Sequence, residues 1–389
     1  IMGRSEDLMP TIDRVSIFEK NAEFEGMDFA TRAIEVGNYT DRSSVPIYAS
    51  VTSGTTYQRH GDPSRDALCS NIASLENAKY TLVTASGVAS VTLPMLALLK
   101  HGDRIICHKD LYIWSYFFVR EDLPRLLDAD VVMVDMTDTD ALEAELKKGG
   151  AALVVTETVT NPMLDVIDLK KCCELAHKYG AKIMVDNTFA SPYLCRPIDY
   201  GCDIVCESAT KYMNGHGDTL GGAISTNDHE IYYKLQRMMG VLGPCISPFS
   251  SFLISRGLQT LPIRMEKHCD NAERLVAYLD TKPFVKQLIY PGLERHPGHE
   301  LAGKQLKRYG GMLCFLLDTD HDTLFNEFLP ELKLFKHWVS LGEAHSLISP
   351  KAEDKEKGIP ADLIRVSAGL ECADDLIADL ERGFKKIFG

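Results

Sequence analysis

The chain lacks several features that would place it in a specialised class of protein. Its 42 Lys and Arg residues are outnumbered by 55 Asp and Glu, and the net charge of −13 makes a surface that repels nucleic acid and anionic lipid. No run of about 18 apolar residues is present, which excludes a transmembrane helix. An apolar share of 45% and a charged share of 25% are instead typical of a globular protein with a large core.

The cysteines also lack a pattern. None of the 11 forms a Cys-x-x-Cys pair, and Ile1–Pro10 is acidic and poor in apolar residues, unlike a secretory signal. We therefore expect reduced, mostly buried thiols and a cytoplasmic protein. Cys172, Cys173 and His177 fall on one predicted helix, but no second pair of ligands is spaced to complete a metal site, so we expect no metal.

Three regions differ in their apolar patterns. Residues 1–60 show no sustained periodicity and are predicted to form an extended arm with loops. In residues 61–248 short apolar runs alternate with helical periodicity, which predicts a doubly wound α/β domain with a mostly parallel sheet. Residues 249–389 contain more helix and predict a smaller α+β domain. The predicted strands are Tyr80–Thr84, Arg104–Cys107, Val131–Val134, Ala152–Thr156, Lys182–Val185, Asp203–Cys206, Met312–Leu317 and Leu363–Ala368. The predicted helices are Ser64–Ala78, Val88–Lys100, Asp140–Lys148, Leu169–Tyr179, Asp375–Phe388 and, as one long or broken helix, Phe249–Leu279.

Chemistry is concentrated where the predicted strands end, the edge at which open α/β sheets bind ligands. Ser86-Gly87-Val88 begins a helix whose free N–H groups suit a phosphate. Asp186 follows another strand and can accept a proton from a ring nitrogen. Ser208-Ala209-Thr210-Lys211 offers two hydroxyls and an amine that forms a Schiff base if burial lowers its pKa. Each alone could be a turn, a cap or a surface cation. Together they are the set that pyridoxal phosphate requires.

The motifs around these residues identify a family. They are Ala85-Ser86-Gly87, Glu157-Thr158, Asn161-Pro162, Val185-Asp186-Asn187-Thr188, Ser208-Ala209-Thr210-Lys211-Tyr212, Gly215-His216-Gly217-Asp218, Ser255-Arg256-Gly257-Leu258, Val339-Ser340-Leu341-Gly342 and Arg365-Val366-Ser367-Ala368-Gly369. Over nearly its whole length the chain resembles the Cys/Met-metabolism (transsulfuration) enzymes, which depend on pyridoxal phosphate. The resemblance implies fold type I of the pyridoxal-phosphate enzymes, with an N-terminal arm (1–60), a cofactor-binding large domain (61–248) and a small domain (249–389).

The resemblance also implies roles for individual residues. Lys211 would hold the cofactor covalently and carry the catalytic proton, and Tyr112 would stack on the ring and relay a proton as a phenolate. The implied cofactor-binding residues are Tyr57, Arg59, Ser86, Gly87, Val88, Tyr112, Asn161, Asp186, Thr188, Ser208, Thr210 and Lys211. The implied substrate-binding residues are Trp114, Asn161, Ser340 and Arg365.

Partners follow from the same resemblance. Tyr57 and Arg59 match a pair that reaches the phosphate of a neighbouring subunit, which implies a homodimer with shared sites and a homotetramer.

From pattern alone, Tyr112 lies among apolar and aromatic residues and favours core packing, and Arg365 alone would be a surface cation. His216, Arg256 and Arg264 are expected to be structural.

Two departures bear on the substrate. Ile113-Trp114 follows Tyr112, where methionine γ-lyases usually have Gly-Cys, and Val339 replaces the Glu that cystathionine γ-lyases tend to carry. His345 is a candidate for altered specificity or a solvated loop residue.

We expect a carbon–sulfur lyase that performs α,γ-elimination on methionine, homocysteine or cystathionine. The alternatives are β-elimination from cystathionine or cysteine, γ-replacement on an activated homoserine, and a non-catalytic binding protein. A Rossmann dehydrogenase is disfavoured, because no Gly-x-Gly-x-x-Gly follows an early strand.

Overall fold

A computed structural model describes residues 14–53, 56–355 and 357–389. Residues 1–13, the beginning of the predicted arm, lie outside the described residues. The rest of the arm is not only extended, as expected, but contains helices α1 (Ser16–Glu19) and α2 (Phe29–Glu35) and the 3₁₀ turn Lys20–Phe24. Asp28 caps α2 by accepting a hydrogen bond from the Ala30 amide. Helices this short give too few turns for periodicity to reveal them.

The arm ends in a short antiparallel pair of strands, β1 (Thr52–Ser53) and β2 (Thr56–Tyr57). The chain then enters a seven-stranded sheet in the order β3-β9-β8-β7-β6-β4-β5. Its strands are β3 (Tyr80–Thr84), β4 (Arg104–His108), β5 (Asp130–Val134), β6 (Ala151–Glu157), β7 (Lys182–Asp186), β8 (Ile204–Glu207) and β9 (Gly222–Thr226).

The expected mostly parallel sheet is confirmed, with one addition. Strands β5, β4, β6, β7 and β8 are parallel neighbours. Strand β9, which the sequence analysis missed, lies between β3 and β8 and is antiparallel to both. Two antiparallel steps leave β3 running in the same direction as β8, so the carboxyl ends of both strands lie at one edge.

Helices surround this sheet, and side-chain caps start several of them. Asp62 accepts from the amides of Ser64 and Arg65 at the start of α3, where Pro63 occupies the first turn. The helices of this part are α3 (Pro63–Leu75), α4 (Gly87–Leu98), α5 (Ile113–Phe117), α6 (Leu123–Leu127), α7 (Thr139–Leu146), α8 (Leu169–Lys178), α9 (Ser191–Leu194) and α10 (His229–Leu242). A π-helical turn, Phe118–Asp122, joins α5 to α6, and Pro197–Tyr200 is a 3₁₀ turn.

The C-terminal part contains a four-stranded antiparallel sheet in the order β10-β11-β13-β12. Its strands are β10 (Val285–Ile289), β11 (Met312–Leu317), β12 (Leu347–Lys351) and β13 (Leu363–Ser367). Its helices are α11 (Pro248–Leu258), α12 (Leu261–Leu279), α13 (His299–Gln305), α14 (His321–Thr323), α15 (Leu329–Glu331) and α16 (Ala373–Phe388), with a π-helical turn at Leu324–Phe328.

The helix expected over 249–279, either long or broken, is broken into two. Helix α11 ends at Leu258, and α12 begins at Leu261 with Pro262 in its first turn. Proline fits the first turn of a helix, where no amide hydrogen is needed, but not the interior. Helix α16 buries Leu376, Leu380 and Phe384, as its apolar spacing indicates. The bounds of the three predicted regions stay predictions.

All 11 cysteines are free thiols, and only Cys245 and Cys372 are not buried. In the described part of the chain, no three His, Cys, Asp or Glu side chains are grouped so as to hold a metal ion. Nor does any helix described there combine the length and apolar character needed to cross a membrane.

Candidate active site

The carboxyl ends of three central strands place acidic and hydroxyl side chains side by side. In the sheet register Glu157 on β6 pairs with Asp186 on β7, and Asp186 pairs with Cys206 on β8. Ser208 follows β8 directly, and its amide donates to the hydroxyl of Thr188 at 2.8 Å. The sequence therefore brings the predicted strand-end residues to one edge.

A cradle of amide and hydroxyl groups lies between the start of α4 and the segment after β8. Ser86 caps the helix by accepting from the Ala89 amide at 3.3 Å, while the amides of Gly87 and Val88 meet no acceptor among the described residues. A Cβ atom added to Gly87 would lie 2.5 Å from both Cβ and Oγ of Ser208, so only glycine allows this approach. Free amides at a helix N-terminus beside a hydroxyl fit the phosphate of pyridoxal phosphate.

Thr210 completes the segment after β8 without pointing freely into the cradle. Its hydroxyl donates to the Gly221 carbonyl at 3.2 Å and accepts from the Gly221 amide at 3.0 Å. These bonds fix the turn that carries Lys211. The role of Thr210 in holding phosphate stays a prediction.

Asp186 has the environment expected of a partner for a ring nitrogen. Burial raises the pKa of its carboxyl group, and the opposing contributions come from hydrogen bonds with Thr188, whose amide donates to it at 3.0 Å. No ion pair neutralises Asp186 within the described chain. A protonated pyridine nitrogen is the cation that this carboxylate lacks, so the residue fits the cofactor.

Lys211 joins the segment after β8 to the loop that precedes β12. Its Nζ donates to the Ser340 hydroxyl at 2.6 Å. Burial, and then the nearby Arg365 guanidinium, lower the pKa of the Lys211 amine to about 8. About a tenth of the amine is therefore unprotonated at pH 7, far more than for an ordinary lysine, and the unprotonated form is the nucleophile that can attack an aldehyde.

Arg365 on β13 reaches across to the large sheet instead of lying on the surface. It is 7% exposed and donates to the Asn161 side-chain oxygen at 2.8 Å and to the Ser340 carbonyl at 2.9 Å. Ser340 has φ of +94°, in the left-handed region that costs a residue with a side chain about 1–3 kcal/mol. The contacts with Arg365 and Lys211 hold Ser340 in this conformation. The interpretation of Arg365 as a surface cation is therefore wrong for this fold.

Glu157 is a functional candidate that the sequence analysis quoted only as part of a motif. One carboxylate oxygen accepts from the Tyr112 amide at 2.5 Å and the other from the Asn161 amide at 3.2 Å. Burial and the neighbouring Asp186 raise the pKa of Glu157 well above its usual value. The sequence did contain a signal for Glu157. It is an acidic residue directly after a predicted buried strand and four residues before Asn161.

The cleft is the region between Asp186, Glu157 and Arg365, whose charges all act on the phenol of Tyr112. Tyr112 and Trp114 form its exposed rim. Tyr112 is 36% exposed at the start of α5. The core packing that its apolar and aromatic neighbours favoured is therefore wrong. Burial raises the pKa of its phenol, although Arg365 opposes this effect, so the chain's own groups favour the neutral phenol over the expected phenolate. Trp114 is 59% exposed and contacts Phe117 edge to face, with ring centroids 6.0 Å apart.

Tyr57 and Arg59 stand apart from these residues. Both are exposed, and the Arg59 guanidinium lies 5.1 Å from the centre of the Tyr57 ring. Among the described residues, no hydrogen bond or ion pair joins their side chains to the strand-end cluster of the same chain. Their predicted contact with a neighbouring subunit stays a prediction.

Several neighbouring residues have structural contacts. Arg264 donates to the carbonyls of Tyr212, Met213 and Gly257, which fixes the turn after Lys211. The His216 ring is hydrogen bonded to the Asn214 carbonyl at 2.6 Å. His345 is exposed and packs edge to face on Trp338.

Comparison with known proteins agrees with this geometry. Residues 32–385 match the model of the family described as Cys/Met metabolism PLP-dependent enzyme. The chain is 39% identical over 381 residues to cystathionine gamma-lyase of Dictyostelium discoideum, covering 92% of this chain and 97% of that protein. It is 38% identical over 358 residues to L-methionine gamma-lyase of Fusobacterium nucleatum subsp. polymorphum, covering 87% and 88%. The crystal structure of cystathionine gamma synthase from Xanthomonas oryzae pv. oryzae, in complex with aminoacrylate and cysteine, aligns with a TM-score of 0.89 at 34% identity, covering 92% and 98%.

Proposed function

Since the chain belongs to the family of Cys/Met metabolism PLP-dependent enzymes, we propose that it is a carbon–sulfur lyase acting by α,γ-elimination. Its cofactor is pyridoxal phosphate. The proposed substrate is a sulfur amino acid with an apolar γ-substituent, of which methionine is the simplest. Methionine and water would give 2-oxobutyrate, ammonia and methanethiol.

One observation carries the choice of an apolar substituent. The rim beside Tyr112 presents Trp114, 59% exposed, and Val339 next to Ser340 is 83% exposed. Phe117 extends this apolar surface against Trp114. A methylthio group loses little by leaving water at such a surface, whereas a charged amino-acid leaving group would lose hydration without gaining a partner.

The side chains of the site divide the reaction between them. Bound pyridoxal phosphate supplies an electron sink that stabilises negative charge on the substrate carbons. The Lys211 amine would take the proton from Cα, and burial supports this role by keeping part of the amine unprotonated near neutral pH. Asp186 would hold a proton on the ring nitrogen by pairing with it.

Substrate binding and departure of the thiol fall to residues at the cleft. Arg365 would bind the substrate carboxylate with a planar guanidinium already held by Asn161 and Ser340. Tyr112 would donate a proton to the departing sulfur, since burial favours its neutral phenol. In this proposal the hydroxyl of Ser340 orients Lys211.

Two further parts of the proposal concern assembly and location. We propose a homodimer with shared sites and a homotetramer built from it, because Tyr57 and Arg59 are exposed and away from their own strand-end cluster. Mixing Arg59→Ala with Lys211→Ala subunits should then restore activity through mixed dimers that contain one intact site. A cytoplasmic location stays a prediction.

The function is tested with cofactor-loaded enzyme on a panel of methionine, homocysteine, cystathionine, cysteine and O-acetylhomoserine. Products are identified by mass. 2-Oxobutyrate, with methionine ranking above cystathionine, is expected. Pyruvate alone would replace the proposal with β-elimination. A thioether formed from O-acetylhomoserine and a thiol, with no 2-oxo acid, would replace it with γ-replacement.

A further inference from the structure

The loop between β12 and β13 buries one of its lysines in the large domain. Lys355 within this loop is 83% exposed in its side chain and pairs only loosely with Glu353, at 3.9 Å. Lys357, two residues later, is 6% exposed. This difference in exposure shows that burial is specific to Lys357 and is not shared by the lysine two residues before it.

The recorded side-chain contacts of Lys357 lie on the segment around Tyr112, whereas its amide donates to Asp354 within the loop. Its Nζ donates to the Leu111 carbonyl at 3.2 Å. The same atom lies 4.0 Å from the centre of the Tyr116 ring. Leu111 immediately precedes Tyr112, and the Tyr116 amide donates to the Tyr112 carbonyl at 2.8 Å. A single ammonium group therefore touches this segment on both sides of Tyr112.

A buried acid lies near this ammonium, although no ion pair between the two is recorded among the described residues. Asp110 is fully buried, and burial raises the pKa of its carboxyl to about 7, while Lys357 is the cation that most opposes the rise. The two neighbouring basic residues, Lys109 and His108, offset the charge of Asp110 less than Lys357 does. Lys109 pairs with Asp135 at 2.5 Å, and burial lowers the pKa of His108 to about 4, which keeps it neutral at pH 7.

Two anchors thus fix Tyr112 from opposite sides. Glu157 of the large domain accepts its amide, and Lys357 of the small-domain loop holds the carbonyl that precedes it. We propose that Lys357 is a positioning residue for Tyr112, which sets the orientation of the phenol by docking the β12–β13 loop onto the Leu111–Tyr116 segment. The proposal rests on the proposed role of Tyr112 as proton donor to the leaving group.

The first test measures structure without turnover. Hydrogen exchange of a peptide spanning residues 109–118 is followed by mass spectrometry in cofactor-loaded wild type, Lys357→Met and Lys355→Met. Lys357→Met should accelerate exchange of the Tyr112 and Tyr116 amides by about tenfold, because a charged hydrogen bond is lost. Lys355→Met, the matched control on the same loop, should leave it unchanged. Equal exchange in all three proteins would overturn the docking, whatever the substrate of the enzyme proves to be.

The second test asks whether Lys357 acts through Tyr112. Lys357→Met should lower kcat about tenfold with KM changed less than twofold, and Lys357→Arg should recover part of the loss. In a Tyr112→Phe background the same substitution should have little further effect, since the group that it positions is already gone. Additive losses would show that Lys357 acts elsewhere and would refute the proposal. If Lys357→Met does not fold, Lys357→Met/Asp110→Asn removes the unpaired buried acid and takes its place in both tests.

Discussion

Replacing Arg365 with leucine should separate binding of the substrate carboxylate from the rest of the site. The guanidinium is buried, and its two recorded hydrogen bonds go to neutral acceptors on Asn161 and Ser340. A carboxylate held by two charge-assisted hydrogen bonds at this position should gain about 3–4 kcal/mol. At about 1.4 kcal/mol per tenfold, Arg365→Leu should raise KM for methionine by about 10²–10³-fold.

The assay compares two ligands that differ only in the carboxylate. Methionine turnover gives KM, and inhibition by 3-(methylthio)propylamine, which lacks the carboxylate, gives a binding constant for the remainder of the molecule. The amine should bind wild type and Arg365→Leu within about threefold of one another, because the difference is assigned to a single charge pair.

Protein stability provides the control for misfolding. Arg365→Leu leaves two acceptors without a donor, at about 1–3 kcal/mol each, but it also removes a cation buried without an acid. The free energy of unfolding in urea should therefore change by no more than about 2 kcal/mol. An equal loss of affinity for methionine and for the amine, in a folded variant, would refute the assignment of the carboxylate to Arg365.

Other predictions address the amine, the rim and the acid limit of stability. Lys211→Ala should abolish turnover in a folded protein. Covalent capture of pyridoxal phosphate by cofactor-free wild type, followed by absorbance, should accelerate with pH and reach half of its maximal rate at a pH of about 8, the pKa of the amine; a rate independent of pH would contradict this. Trp114→Gly should change the ranking of leaving groups in the substrate panel more than it changes cofactor affinity, because the side chain borders the cleft; an unchanged ranking would remove Trp114 from the substrate site. Burial lowers the pKa of His268 to about 4, so about 3 kcal/mol of stability, fully present above pH 6.5, should be lost as the pH falls towards 4. His268→Asn, which keeps a donor for the Ala368 carbonyl, should reduce this loss in urea unfolding; an identical pH slope would show that the ring is not the group that titrates.

Local chemistry at strand ends was the part of the site most accessible from sequence. Apolar strands followed by Asp186 or Ser208 predicted both the parallel sheet and the edge where those residues meet. Gly87 could be assigned to a helix start because small residues precede a helical run there. These inferences needed only short-range patterns, and the structure places the residues accordingly.

Contacts between distant segments were inaccessible for a physical reason. Strand β9 follows a loop that looks like a turn, and its position beside β3 depends on pairing with residues more than 100 positions away. Lys357 looks the same as Lys355 in sequence, since both lie in a charged run. Only the burial of one of them against Leu111 and Tyr116 distinguishes the two.

The charges of the site are arranged so that each half lacks its counter-ion. The two cations of the site, Lys211 after β8 and Arg365 on β13, donate only to neutral oxygens of Ser340 and Asn161, with no ion pair recorded for either among the described residues. On the strand-end side, burial raises the pKa of Asp186 and Glu157, which also face no recorded ion-pair partner there. Buried charges are costly until paired. A ligand with a carboxylate for Arg365 and a protonated ring nitrogen for Asp186 would relieve both costs at once, so amino acid and cofactor should each bind more tightly when the other is present.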